Sequence, residues 1–475
     1  MDSVATAIRR LADLAEAPHI ARLSAAFSAA GHEFALVGGP VRDAFLGREL
    51  NDLDFATSAL PDQILAVVKP LSDAHWDIGR AFGTIGARID GHVVEITTYR
   101  TDSYDGETRK PVVEFGDSLE HDLVRRDFTI NAMALRLPEQ VLVDPSGGLD
   151  DLFAQLITTP GAPEVSFGDD PLRMLRAARF TSQLGFILDA PTRAAMAALA
   201  PQLSIVSVER IADELSKLLR SAAPREGLEL LVETGIAAIV LPELPALRLE
   251  IDEHHHHKDV YEHSLTVLDH VIELEAQRSH EGSPDLVLRM AALLHDIGKP
   301  GTKRTEGGGV VTFHHHDVVG AKLAGRRLKA LRFDKQFISD ASRLIELHLR
   351  FFGYTEGAWT DSAVRRYVRD AGPLLDRLHI LVRADVTTRN RRKADRLAFA
   401  YDNLEQRIAA LSEEEELAAI RPDLDGGQIM AILGIPAGPG VGDAYRFLLE
   451  LRLDEGSLSK EEATARLTAW WAGRT

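Results

Sequence analysis

No segment constrains the fold more tightly than "FALVGGPVRDAFLGRELNDLDFAT", Phe34 to Thr57. An apolar strand runs into a double glycine, a short helix-like stretch follows, and the next strand-like run carries Asp-Leu-Asp. In a strand, residues i and i+2 face the same side, roughly 6–7 Å apart along the backbone. Asp52 and Asp54 therefore converge on one spot while Leu53 and Phe55 turn into a core. Such a pair suits Mg²⁺, which prefers one or two carboxylates plus substrate phosphate oxygens to a full protein cage. Two ions about 3.5–4 Å apart stabilise both the attacking and the leaving oxygen of an in-line phosphoryl transfer. Gly38 and Gly39 fit the same chemistry, because a backbone without Cβ lets N–H groups approach a triphosphate closely. Glu95, in the strand-like run "HVVEITTYR", is either a third carboxylate turned to this spot by alternation or an ordinary strand-face glutamate.

Around this segment, β-type runs ("GTIGARI", "HVVEITTY", "VLVDP") mix with helices, as in an α+β domain. The strand signal fades after "DPSGGLDDL", Asp144 to Leu152, and from Asp169 onward the chain reads as helix punctuated by Pro and Gly. At 475 residues the chain exceeds one compact core. Its start reads as amphipathic helices without the basic-then-apolar order of a signal peptide. No apolar run approaches the ~20 residues of a membrane span. The absence of cysteine removes disulfides, thiolate nucleophiles and zinc–thiolate sites, and a cytoplasmic protein is the simplest reading. A formal charge of -18 counts against nonspecific, charge-driven RNA binding. Two local basic stretches, Arg389 to Arg396 and Gly325 to Phe333, are either RNA-facing patches or solvated helix faces.

The segments "LVGGPVRDAFLGRELNDLDFAT", "RRDFTINAMAL", "DPSGGLDDL", "DDPLRMLRAARF" and "VERIADELSKLL", in that order, resemble the motif set of bacterial class II tRNA nucleotidyltransferases and poly(A) polymerases. The resemblance spans Phe34 to Leu219 and implies a polymerase-β-like head, Mg²⁺ at Asp52 and Asp54, and template-independent addition of nucleotides to an RNA 3′ end. It places Gly38, Gly39 and Arg42 near the triphosphate. Arg125 and Arg126 could meet phosphate. Asp127 and Asn131, at i,i+4 spacing, could hold ribose hydroxyls from one face if the segment is helical; Asp127 could equally be a helix cap. Arg176 and Arg179 join the nucleotide-binding set by the same resemblance.

Pro171 fits the first turn of a helix, with Asp170 beside the cap and Arg173 one turn on. A carboxylate and a guanidinium together offer one acceptor and one donor. Cytosine and adenine both present an exocyclic amine beside a ring-nitrogen acceptor; uracil and guanine present the reverse. One Asp/Arg pair can therefore accept C and A and reject U and G. The family usually has Glu-Asp where this chain has Asp169-Asp170. The polar loop "YRTDSYDGETRKPV", Tyr99 to Val112, corresponds to one that influences whether C, A or both are added.

A second pattern is histidine-based. His263 lies in the helical run "VYEHSLTVLDHVIEL", and "LVLRMAALLHDIGKP" is an apolar helix ending in His295-Asp296. A buried His-Asp pair is costly unless both groups are compensated, and neutral imidazole and carboxylate suit a divalent transition metal. His263, His295, Asp296 and Asp385 in this order resemble the HD-superfamily phosphohydrolases, over roughly Asp259 to Arg389. His316 and His348 would complete a second metal position. His254 to His257 read as a solvated loop. The tail's Gly-Pro-Gly, Gly438 to Gly440, is either an N–H donor to RNA phosphate or a tight turn between helices.

The resulting division is an α+β head at 1–155, a helical neck and body at 156–248, an HD domain at 249–395 and a helical tail at 396–475. The expected activity is CCA addition to tRNA from CTP and ATP, without membrane association. A-only addition or poly(A) tailing is the alternative within the family. Outside it stand an HD phosphohydrolase and a protein-modifying nucleotidylyltransferase.

Overall fold

The computed structural model describes residues 4–50, 53–100, 115–116, 118–248, 259–278, 284–306, 311–351, 354, 359–387, 390–415 and 421–474. Asp52, most of the Tyr99–Val112 loop, His254 to His257 and Arg389 lie outside the described residues. The chain divides into two compact units, Met1–Pro242 and Glu243–Thr475.

In the first unit, α1 (Val4–Glu16) and α2 (Pro18–Ala29) precede β1 (Phe34–Val37), α3 (Gly39–Leu46), β2 (Leu53–Thr57) and α4 (Pro61–Val68). Then come β3 (Ala74–Trp76), β4 (Thr84–Ile89), β5 (His92–Thr98), α5 (Leu119–Val124), β6 (Ala134–Leu137) and β7 (Val141–Val143). Among the described residues these strands form a seven-stranded sheet of order β3-β4-β5-β2-β1-β6-β7. All its pairings are antiparallel except β2–β5. The β4–β5 hairpin closes through Asp90 and Gly91, both at positive φ (50° and 81°), with Ile89 opposite His92. Two left-handed residues match the twist of the flanking strands.

One sheet face is largely apolar and buried. Phe27 of α2 stacks on Phe34 (4.5 Å between centroids), which stacks on Phe55 (4.6 Å). Leu53, Val94, Ile96, Ile85 and Ala87 continue the buried layer. The opposite face is divided. Small residues Ala35, Ala56 and Ala134 let α5 pack closely through Leu119 and Leu123. From β2 toward β4 the same face carries Asp54, Glu95 and Arg88, of which Glu95 and Arg88 are exposed.

Behind the head lie α6 (Gly148–Ala154), α7 (Pro163–Asp169), α8 (Leu172–Leu184), α9 (Ala190–Leu199), α10 (Val208–Leu219), α11 (Pro224–Glu233) and α12 (Ala237–Val240). The fading of strand signal has a local exception: Leu156–Ile157 pairs in parallel with Ile187–Leu188. Two-residue bridges leave no periodicity to read. In α10, Ile211, Leu215 and Leu218 make the buried stripe of an amphipathic helix.

The second unit contains α13 (Val260–Gln277), α14 (Leu286–Leu294), α15 (Lys299–Thr302), α16 (His316–Ala330) and α17 (Lys335–Leu347). Helices Asp361–Ala371, Leu375–Ala384, Arg391–Glu415, Gly426–Leu433, Pro439–Glu455 and Lys460–Ala472 complete it. A short hairpin, Arg304–Thr305 with Val311–Thr312, again interrupts the helical pattern. Gly438 caps the helix that starts at Pro439, and a Cβ on Gly440 in its first turn would come within 3.0 Å of Trp471, so glycine there serves close packing.

Candidate active sites

The parallel β2–β5 pairing sets Asp54 opposite Glu95, between the buried pairs Leu53–Val94 and Phe55–Ile96. Partners across a parallel ladder share a face, so the two carboxylates stand side by side on the open half of the sheet. Their donors are all oxygen, and the open face leaves room for substrate oxygens and water to complete an octahedral shell. That set fits Mg²⁺.

β1 delivers the chain into α3 through Gly38, whose φ of +74° favours glycine, and a Cβ there would lie 3.2 Å from Arg126 Nη1. Of the two glycines only Gly39 presents its N–H at the helix start, because Gly38 donates to the Met133 carbonyl (3.0 Å). Arg42 is buried: Nε and Nη2 grip the two Asp43 oxygens (2.9 Å each), and Nη1 donates to Asn131 Oδ1 (2.6 Å). The segment after Asp127 forms a 3-10 turn, Thr129–Asn131, rather than an α-helix. Asn131 Nδ2 still reaches Asp127 Oδ1 (3.1 Å), as the i,i+4 spacing anticipates.

α8 docks onto this assembly through arginines. Arg176 Nε donates to Asp127 Oδ2 (2.8 Å), and Arg179 Nε donates to Glu214 Oε2 (2.7 Å). Phe180 lies beneath three guanidinium groups, Arg179 at 4.1 Å, Arg42 at 5.3 Å and Arg176 at 5.6 Å. Burial alone raises the Asp127 carboxyl, yet Arg176 and the Asn131 amide outweigh it and hold Asp127 below the usual carboxylate range. Asp122 behaves similarly: it is buried, and Arg125 (2.9 Å) and Arg126 (3.0 Å) keep it ionised.

Asp170 and Arg173 sit at the α7–α8 junction, joined through the Arg173 N–H and the Asp170 carbonyl (3.0 Å), while each side chain has its own partners. Asp170 Oδ1 accepts the Leu172 N–H (3.1 Å), and Oδ2 accepts from Arg210 Nη2 (2.8 Å). Arg173 Nη1 donates to Ser166 Oγ (2.8 Å), and Nη2 donates to the Arg125 carbonyl (2.5 Å). Asp122, Ser166, Arg210 and Glu214 were absent from the residues singled out in the sequence. Asp122 had a readable signal, standing three and four residues before Arg125 and Arg126, the spacing of partners on a helix face, here at the C-terminal end of α5. Glu214 interrupts the apolar face of α10.

The second site gathers at helix ends. His263 Nε2 lies 2.9 Å from Asp385 Oδ1 and 3.3 Å from His295 Nε2. His295 Nε2 lies 3.2 Å from Asp296 Oδ2, and His316 Nε2 is 3.2 Å from Asp296 Oδ1. The ligand atoms form two clusters, His263–His295–Asp385 and Asp296–His316–His348. Each histidine is oriented through Nδ1: His295 on the Ala292 carbonyl (2.8 Å), His316 on Phe313 (2.8 Å), His348 on Ile345 (2.6 Å), and His263 on Thr387 Oγ1 (3.1 Å). An Nδ1–H donated to a carbonyl leaves the Nε2 lone pair for a metal. His348 Nε2 is buried without a protein partner, an orphan that a cation would satisfy. Imidazole and carboxylate suit a divalent transition metal, so the residues fit one.

Burial disfavours imidazolium at His295, but adjacent Asp296 overrides it and raises His295 to about 9. At His348 burial prevails, reinforced by His295, and lowers it to about 4. Burial would raise Asp296; His295 and Lys299 instead hold it well below the ordinary range. Lys299 Nζ stands 2.8 Å from Asp296 Oδ2, a cation the histidine pattern did not anticipate.

Comparison with known proteins agrees with both halves. Residues 34–158 match the poly A polymerase head domain, 185–247 the probable RNA- and SrmB-binding site of polymerase A, and 260–390 the HD domain. These define the class: a nucleotidyltransferase followed along the chain by an HD domain. An A-adding tRNA nucleotidyltransferase of Deinococcus radiodurans is 34% identical over 447 residues, 92% of this chain and 95% of that protein. The chain belongs to the tRNA nucleotidyltransferase and poly(A) polymerase family. CCA-adding enzymes of Geobacillus thermodenitrificans (45% over 208 residues) and Bacillus subtilis (46% over 208) match 44% of this chain and about half of their own length (50% and 51%). The CCA-adding enzyme of Bacillus stearothermophilus in complex with CTP superposes with a TM-score of 0.67 and 25% identity, over 96% of this chain and 99% of that one. A Thermotoga maritima CCA-adding enzyme complexed with tRNA shares the fold (TM-score 0.60, 18% identity, 98% of each chain). No helix among the described residues is long and apolar enough to cross a membrane.

Proposed function

We propose that this protein adds C, C and A to the 3′ end of tRNA, using CTP and ATP. The observation that carries the reading is the register that sets Asp54 beside Glu95 on an open sheet face, next to the glycine-led start of α3. Asp52, Asp54 and Glu95 would hold Mg²⁺. When bound, Mg²⁺ neutralises triphosphate charge and favours ionisation of the attacking hydroxyl. The tRNA 3′ hydroxyl attacks the nucleotide α-phosphorus, and a new P–O bond forms as the bond to pyrophosphate breaks.

Gly39 offers its N–H and Arg126 its guanidinium to the triphosphate. Asp127 and Asn131, held by Arg176 and Arg42, orient the ribose, and Arg179 fixes α8 against Glu214. Asp170 accepts the exocyclic amine of C or A while Arg173 donates to the ring nitrogen. U and G would leave both groups facing like partners, which costs far more than a missing apolar contact. Because Ser166 and the Arg125 carbonyl already fix Arg173, the donor is preorganised.

The test is incorporation into a tRNA transcript lacking CCA, with each nucleotide alone and combined. Addition of two C and then one A supports the reading; no extension of RNA overturns it. The near full-length similarity to an A-adding enzyme favours a second reading, in which only A is added to tRNA ending in CC. In the second unit, His263, His295, Asp296, His316, His348 and Asp385 would hold divalent transition metal for phosphoester hydrolysis. There the metal would supply Lewis acidity toward a phosphoryl oxygen.

A further inference from the structure

The sheet register extends the carboxylate row beyond Glu95. Asp54 is opposite Glu95, Glu95 is opposite Gly86 on β4, and Gly86 is opposite Trp76 on β3. All four share the open face. The Trp76 indole packs directly onto Gly86: a Cβ at position 86 would come within 2.0 Å of Trp76 Nε1 and 2.2 Å of Cε2. Glycine in mid-strand is otherwise unfavourable and marks a close approach. The ring therefore rests about one strand spacing, roughly 5 Å, from the Glu95 strand. Trp76 is only partly buried, so part of its surface remains open to solvent.

The flank on which this ring lies identifies what it meets. Gly39 opens α3 directly after β1, Arg126 lies against Gly38 and Arg173 donates to the Arg125 carbonyl, so the proposed triphosphate and base contacts gather at the β1 flank, on the far side of β2 from β5. An in-line displacement needs nucleophile and leaving group on opposite sides of phosphorus. With the nucleotide entering from the β1 flank, the acceptor hydroxyl approaches over β5 and β4. We propose that Trp76 is a stacking platform for the 3′-terminal base of the acceptor RNA. A π-face accepts any base, as an acceptor whose terminus changes with each addition requires. Arg88 projects from the same face two residues from Gly86, exposed and without a side-chain partner among the described residues, within reach of the acceptor's phosphate. The platform is a positioning element, and it rests on the RNA-extending reading above.

The test is steady-state extension of a tRNA transcript ending in CC with ATP. Trp76→Ala raises the acceptor KM about ten-fold or more, the scale of one lost stacking contact, with the ATP KM within about two-fold. Trp76→Phe keeps most of the acceptor affinity. Gly86→Ala retains the tryptophan but displaces its ring, and raises the acceptor KM as Trp76→Ala does. The decisive comparison uses an acceptor whose terminal nucleotide is abasic. On it the Trp76→Ala penalty disappears if the ring stacks on that base, whereas a structural role predicts the same penalty on both acceptors. An equal penalty, or none on either, overturns the platform alone. Failure of the wild-type protein to extend RNA overturns the platform together with the function it rests on.

Discussion

The two candidate metal sites differ in donor set and in degree of enclosure. In the second unit, histidine and carboxylate ligands converge from the ends of buried helices, with Nδ1 atoms tied to backbone carbonyls or Thr387. In the head, Asp54 and Glu95 stand on an open sheet face, and the buried charges lie behind them in the arginine network. A site that must complete its own coordination shell is built before any ligand arrives. A site that takes phosphate oxygens from its substrate leaves its carboxylates accessible and spends its rigidity on the residues around them.

This contrast can be broken most directly by removing one ligand from each site. Asp54→Ala should abolish nucleotide incorporation by on the order of 10³-fold, while elemental analysis finds the metal content of the second unit unchanged. A parallel loss of metal would mean the two sites are not separable. His295→Ala should do the converse, eliminating transition-metal retention through dialysis while tRNA extension stays within about two-fold of wild type.

The arginine network sharpens the comparison. Arg176→Ala leaves Asp127 and Glu214 buried with fewer partners, and breaking such a pair typically costs about 3–5 kcal/mol. Denaturant unfolding should register that loss, and an unchanged midpoint would argue that water already supports these carboxylates. Asp122→Asn should act more gently. Releasing Arg125 and Arg126 should raise the KM for nucleotide about ten-fold, with kcat less affected.

Acid supplies the smallest effect. Asp127 and Asp122 have folded-state pKa values below those of the unfolded chain. Their stabilisation is present above the unfolded value of about 3.9 and is lost as pH falls through the depressed folded values. Thermal unfolding followed from pH 5 downward should show a steep loss in the wild type and a shallower one in Asp127→Asn.

Much of this arrangement could be read before the fold was known, for specific reasons. Period-2 alternation turned Asp54 away from Leu53 and Phe55, and ordered motifs drew the six HD-type ligands together. Asp170 and Arg173 were legible as an acceptor and a donor at a helix start, but not their separate anchors. Arg210 lies 40 residues from Asp170, and Arg176 lies 49 residues from Asp127. Only packing brings such groups together. The fate of the Gly38 N–H was similarly hidden, since its acceptor, Met133, sits in the approach to a strand that pairs with β1. Trp76 carried no motif at all; its place follows from register across three strand pairings.

The Asp90–Gly91 turn acts as a length standard for the head. Because β5 begins directly after it, one residue inserted or deleted there would shift every side chain of β5 to the other face. Glu95 would then enter the apolar layer, and Val94 or Ile96 would take its place beside Asp54. Homologous chains should therefore tolerate wide sequence change in this hairpin and almost no change in its length, a pattern that distinguishes metering from mere connection.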